Sequence, residues 1–241
     1  MPHQLRITET APRLLLWGAV AILVAIGVAA AVGRALVLAK VGLPSPELRQ
    51  LLSATAVQEL AEYDRAFKTH PVLTFLHIVP GGIFLMLAPF QFSSSLRTRH
   101  LQFHRWSGRV IVIAALLAGF SALFLGVLFR FTGPGASSAV ILFGALFLFA
   151  VIRAFIAIRH RDLVRHREWM IRAFSIGIGI STIRIIASLL FAITRARPFE
   201  LIGWSFWIGW ILTFAMAELW IRHTRSGRIA MRSAQIRATP T

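Results

Sequence analysis

The sequence contains no cysteine. That excludes disulfides, thiolate metal sites, iron–sulfur clusters and the covalent attachment of c-type haem. Acidic residues are scarce too, nine in 241 residues against 26 Lys and Arg, for a formal net charge of +17. Charged residues of either sign make up only 15% of the chain, where a soluble domain carries about 25%. Also absent are a phosphate-binding glycine loop, an HExxH zinc motif and a GxSxG nucleophile elbow. What is plentiful is apolar sequence, 57% hydrophobic residues with a mean hydropathy of +0.72. A nucleic-acid-binding domain would account for the basicity but would leave so many apolar side chains nowhere to go. A polytopic membrane protein with its charge gathered in the loops accounts for both, and no nucleic-acid partner is expected.

A spanning helix needs about 20 mostly apolar residues. Six stretches qualify: 14–39, 71–92, 106–130, 137–158, 170–193 and 201–221. The fold class expected is all-α, a membrane bundle of six transmembrane helices. Residues 1–13 form a short N-terminus, 14–39 the first span, 40–70 a connector, 71–221 a five-helix core and 222–241 a basic tail. The apolar run Leu14 to Gly33 outlasts a signal-peptide core and five further spans follow it, so a cleaved leader is not expected. In the connector, Ser45 and Pro46 suit an N-cap and first helical position. Leu48, Leu52, Leu60, Tyr63 and Phe67 then recur at helical spacing, which suggests an amphipathic helix on the outer surface.

Basic residues are retained on the cytoplasmic side of a membrane. With the N-terminus inside, seventeen Lys/Arg and four Asp/Glu fall at inner ends, a net +13. Eight Lys/Arg and five Asp/Glu fall at outer ends, a net +3, and Arg184 remains within a span. The charge therefore predicts both termini in the cytoplasm of a bacterial inner membrane, with the basic face against anionic lipid. Trp17, Trp106, Trp169 and Trp220 lie near inner ends and Trp204 and Trp207 near an outer one, as interfacial anchors should. Trp210 alone lies deeper.

Polar groups inside a bilayer usually face a bundle interior or a cavity. His77 in the second span shares a helical face with Thr74, Gly81 and Ala88, and Pro80 and Gly81-Gly82 follow it, where a kink would open space. Arg184 in the fifth span follows Gly177 and Ser181 and precedes Ser188, again a small or polar face. The two differ in depth by three residues, about 5 Å along a helix. A ligand cavity lined by His77 and Arg184 is one expectation, suited to an anion, a quinone oxygen or a proton path. The other is that Arg184 binds carbonyls and His77 a neighbouring hydroxyl as structure only.

A second constellation precedes the third and fifth spans: His100, His104-Arg105-Trp106 and Arg109 in one, His160, His166-Arg167-Glu168-Trp169 and Arg172 in the other. The repetition, offset by 62 residues at the histidines, suggests a degenerate two-helix repeat. His104 continues into a small-residue face through Gly108, Ala115, Gly119, Ala122 and Gly126. His166 lies eighteen residues, five helical turns, before Arg184. Both histidines thus point inward at one level, as candidate ligands of haem b with nearby arginines for its propionates. His100 and His104, four apart, would join in a metal site only if that stretch were helical, and no metal is assigned. The competing reading is that Arg and Trp here serve topology and anchoring, with His-Arg pairs on lipid phosphate. Arg153 and Glu218, one to two turns from inner ends, suit an ion pair or a snorkelling arginine.

The run from His77 through Pro89-Phe90-Gln91-Phe92, then Leu96-Arg97, His104-Arg105, Gly108-Arg109 and the stretch His166-Arg167-Glu168-Trp169-Met170-Ile171-Arg172, resembles the bacterial domain-of-unknown-function 2306 family. The resemblance covers roughly residues 60–220, and the last stretch is its most specific part. It implies a multi-spanning membrane protein and draws attention to His77, His104 and His166, but supplies no reaction. Histidines on adjacent spans are also similar to those of membrane b-type cytochromes, which pair them at matching depths, as here only His104 and His166 can. The function expected is a membrane redox component holding haem b or quinone. The alternatives are a transporter or ligand-binding protein using His77 and Arg184, and a lipid-interacting protein without catalysis.

Overall fold

In hydrocarbon each backbone amide has to find its partner within the chain, and a run of apolar residues does so most simply as a helix. The computed structural model describes residues 4–39, 67–128, 133–194 and 198–238, with side chains over 14–39, 67–127, 134–194 and 201–226. It contains α1 (Gln4–Leu38), α2 (Pro71–Gln91), α3 (Ser94–Arg99), α4 (Leu101–Leu128), α5 (Gly133–Arg159), α6 (Leu163–Thr194) and α7 (Pro198–Ala238). All but α3 are long and apolar enough to cross a membrane, and each carries one expected span. Over the described residues the protein is an all-helical integral membrane protein with six spans. Most of the connector, including the Ser45 cap, lies outside the described residues. Its last turn is tied to α2, where Thr74 Oγ1 donates to the Phe67 and His70 carbonyls at 3.0 Å each.

The helices outrun the apolar stretches. α4 begins at Leu101 and α6 at Leu163, so the polar segments holding His104 and His166 are first turns of spanning helices rather than loops. Between α5 and α6 the chain turns in three residues. Arg161 adopts φ 59°, and the Asp162 and Arg161 amides return to the Ala157 and Ile158 carbonyls at 2.9 and 3.0 Å. This is the left-handed closure that usually uses glycine. Asp162 then caps α6 by accepting the Arg165 amide at 2.9 Å. So short a turn sets the first turns of α6 beside the last turns of α5.

α6 is the central helix, packed against α1, α2, α5 and α7. Four neighbours fit because its small residues admit large partners. A Cβ at Gly177 would fall 2.6 Å from the Phe84 ring of α2, and one at Gly179 would fall 2.5 Å from Trp210 of α7. Trp210, too deep for an interfacial anchor, is a core residue. Its Nε1 donates to the Ile176 carbonyl at 3.0 Å, and its ring lies 5.1 Å from Phe143 and 5.2 Å from Phe206.

Candidate functional site

The first turns of α4 and α6, the last turns of α2 and α5 and the stretch of α7 from Glu218 to Arg225 meet at one end of the bundle, the basic end. α4 and α6 do not pack extensively against each other. The end of α2 touches both: Gln91 Nε2 donates to Ser107 Oγ of α4 at 2.7 Å, and Phe92 lies 5.6 Å from Phe174 of α6. His166 Nδ1 is 2.9 Å from the Ala154 carbonyl of α5. A carbonyl only accepts, so Nδ1 carries the hydrogen and Nε2 is the bare nitrogen of the neutral ring. His104 is half-buried, and its Nδ1 is shielded from solvent with no hydrogen-bond partner among the described residues. The His104 ring lies within electrostatic range of both His166 and Arg97.

His100 does not join this group. It caps the end of α3 at φ −130°, ψ 56°, exposed and outside helical geometry, so its spacing of four from His104 does not place the two on one helical face. Among the described residues no three His, Cys, Asp or Glu side chains gather as a metal site.

The stretch from His166 to Arg172 is a latch. Arg167 Nη1 reaches Thr224 Oγ1 of α7 at 3.3 Å. The Glu168 carboxylate, its side chain 4% exposed, accepts from Arg225 Nε and Nη2 at 3.2 and 2.6 Å. Arg172 grips Glu218 the same way, Nε at 2.5 Å and Nη2 at 3.1 Å. Met170 is buried in the main core, and Ile171 packs with Ala217 and Ile221. Trp169 meets Phe149 edge to face at 5.3 Å under the Arg172 guanidinium at 4.6 Å. Glu218 is thus in an ion pair, with Arg172, and Arg153 instead lies over the Phe149 and Trp169 rings at 5.9 and 5.8 Å. The earlier copy of the pattern is used differently: Trp106 is 62% exposed on the peripheral α4.

In the opposite half, His77 Nδ1 is 2.9 Å from the Ala118 carbonyl of α4, which also accepts Ser121 Oγ at 3.0 Å. The expected partner for a structural His77 was a hydroxyl; the atom found is a carbonyl. Arg184 lies within electrostatic range of His77, but it is exposed, not enclosed as its small-residue spacing suggested, and its Nη1 donates to the Ile180 carbonyl at 3.0 Å. A cavity of about 370 Å³ opens elsewhere, between α1 and α2. Trp17, Val20, Val24, Met86, Pro89 and Phe90 line it, and neither His77 nor Arg184 does.

The profile of a family described as "Predicted membrane protein (DUF2306)" matches residues 74–221, more than half the chain, and the chain belongs to that family. The matched region takes in His77, His104, His166, Arg184 and Glu218 and leaves out α1. No curated protein and no solved structure matches.

Proposed function

We propose that this member of the DUF2306 family is a membrane redox component of the bacterial inner membrane. Its prosthetic group, haem b, is held between the basic ends of α4 and α6 by His104 and His166. The observation that carries this reading is the complementary state of the two rings. His166 has Nδ1 fixed on the Ala154 carbonyl at 2.9 Å, which orients the ring and leaves Nε2 as the ligating nitrogen. His104 holds a buried ring nitrogen with no partner among the described residues. A buried polar atom left unsatisfied costs about 1–3 kcal/mol, and a bound group would remove that cost. α4 and α6 do not pack extensively against each other, and Arg97 near His104 would serve as a counter-ion for a propionate. Haem b, when bound, supplies one-electron transfer. In this reading both termini and the basic end face the cytoplasm, against anionic lipid.

The test is the absorption spectrum of the full-length protein purified from haem-replete cells. A Soret band is expected, lost in both His104→Ala and His166→Ala and kept in His77→Ala. If the preparation is colourless, quinone recovered by solvent extraction from wild type and not from the two variants supports the quinone form of the reading. Neither haem nor quinone overturns it.

A second reading rests on His77 and Arg184. His77 is also fixed through Nδ1, so its Nε2 is the bare nitrogen, beside a cation in the opposite half of the bundle. That arrangement suits a small anionic ligand, as in a transporter. Retention of full activity, once assayed, in His77→Ala and Arg184→Gln would remove it.

A further inference from the structure

Every described carboxylate near the basic end is engaged by an arginine: Asp162 by Arg165, Glu168 by Arg225 and Glu218 by Arg172. Arg153 has no carboxylate and no hydrogen bond among the described residues. It is exposed, and six residues, about 9 Å of helix, separate it from the end of α5 at Arg159. Its guanidinium is not turned toward that end. It lies over Phe149, one turn deeper, and over Trp169, at 5.9 and 5.8 Å from the ring centroids. Aromatic faces steady a guanidinium but accept few of its five N–H donors. Trp169 also carries the Arg172 guanidinium at 4.6 Å, whose charge Glu218 balances. The cluster Arg153, Arg172 and Glu218 therefore keeps one net positive charge, set within a spanning helix, where an unpaired cation is costly.

The surroundings say what completes it. Phe149, Ile152, Phe155 and Ile156 on the same helix are 43–50% exposed, a surface for acyl chains. A fork of N–H donors braced on two rings and bordered by apolar surface matches a phosphate that arrives with hydrocarbon attached. We propose that Arg153, on the Phe149–Trp169 platform, is a binding site for the phosphate of an anionic phospholipid from the leaflet at the basic end.

The experiment is native mass spectrometry of the delipidated full-length protein titrated with phosphatidylglycerol, phosphatidylcholine or inorganic phosphate. One phosphatidylglycerol should bind wild type about tenfold more tightly than Arg153→Gln, while Arg159→Gln, at the helix end, should bind like wild type. Phe149→Leu keeps the charge and removes one ring. It should weaken binding about two- to fivefold, and it decides the matter if Arg153→Gln does not fold. Equal retention of phosphatidylglycerol by all variants overturns the proposal. So does phosphatidylcholine binding as tightly as phosphatidylglycerol, or inorganic phosphate displacing it, since then neither net charge nor hydrocarbon would matter.

Discussion

The seam between α6 and α7 decides how the basic end is assembled, and one methyl group tests it. A Cβ added at Gly209 would lie 2.6 Å from Ile183 Cγ1, 3.0 Å from its amide nitrogen and 3.1 Å from its Cα. The side chain can turn away; the backbone of a packed helix cannot. Ordinary carbon contacts lie at about 3.5–4.0 Å, so Gly209→Ala pushes the helices apart by about 0.5 Å, which forfeits about a quarter of each dispersion contact along the seam. The Trp210–Ile176 hydrogen bond, 3.0 Å long across the same seam, lengthens with it. Overpacking of this kind costs about 1–3 kcal/mol, and the better helix propensity of alanine returns about 0.8–1.0 kcal/mol. The net is a destabilisation of up to about 2 kcal/mol. Gly18 and Gly33 on α1 have nothing among the described residues within 4 Å of an added Cβ. There the same substitution gains propensity alone, about 0.5–1 kcal/mol of stabilisation. Thermal unfolding in detergent followed by tryptophan fluorescence reads both signs. A Gly209→Ala protein that melts with or above wild type, beside α1 variants that gain nothing, would refute the close-packed seam.

Arg172→Gln and Glu218→Gln, combined in a double-mutant cycle, should show a coupling of about 1.5–3 kcal/mol, because the pair is bidentate and its side chains are only 16% and 27% exposed. A coupling near zero in unfolding experiments would mean the pair is not formed in the membrane. Trp210→Phe keeps the ring stack and loses the bond to the Ile176 carbonyl. A loss of about 0.5–1.5 kcal/mol is expected, and an unchanged melting temperature would show that the indole nitrogen is not bonded.

The spans were legible because one quantity decides them: about 20 apolar residues have no other stable form in a bilayer. Their beginnings were not, because hydropathy does not register a polar turn that a cap holds helical, as Asp162 does for α6. The inward placement of His77 and His166 followed from small-residue spacing, yet the same argument failed for Arg184. Periodicity assumes one environment along a helix, and α6 is enclosed in its middle but exposed from Arg184 onward at residues 184, 185, 188, 189 and 191–194. The ion pairs lay further out of reach. Glu218 had Arg153 as an obvious candidate, since both sit near span ends expected to lie inside, and nothing local favours Arg172, 46 residues away. A longer-range signal was present all the same. In an antiparallel hairpin, partners lie symmetrically about the turn. Arg172 and Glu218 centre on residue 195, Glu168 and Arg225 between 196 and 197, just where α6 gives way to α7. Two acids and two arginines with midpoints within two residues of each other, arranged acid before arginine on α6 and acid before arginine on α7, set the register of the hairpin. Arg153 has no such counterpart among the described residues, and the proposed phospholipid phosphate would supply one.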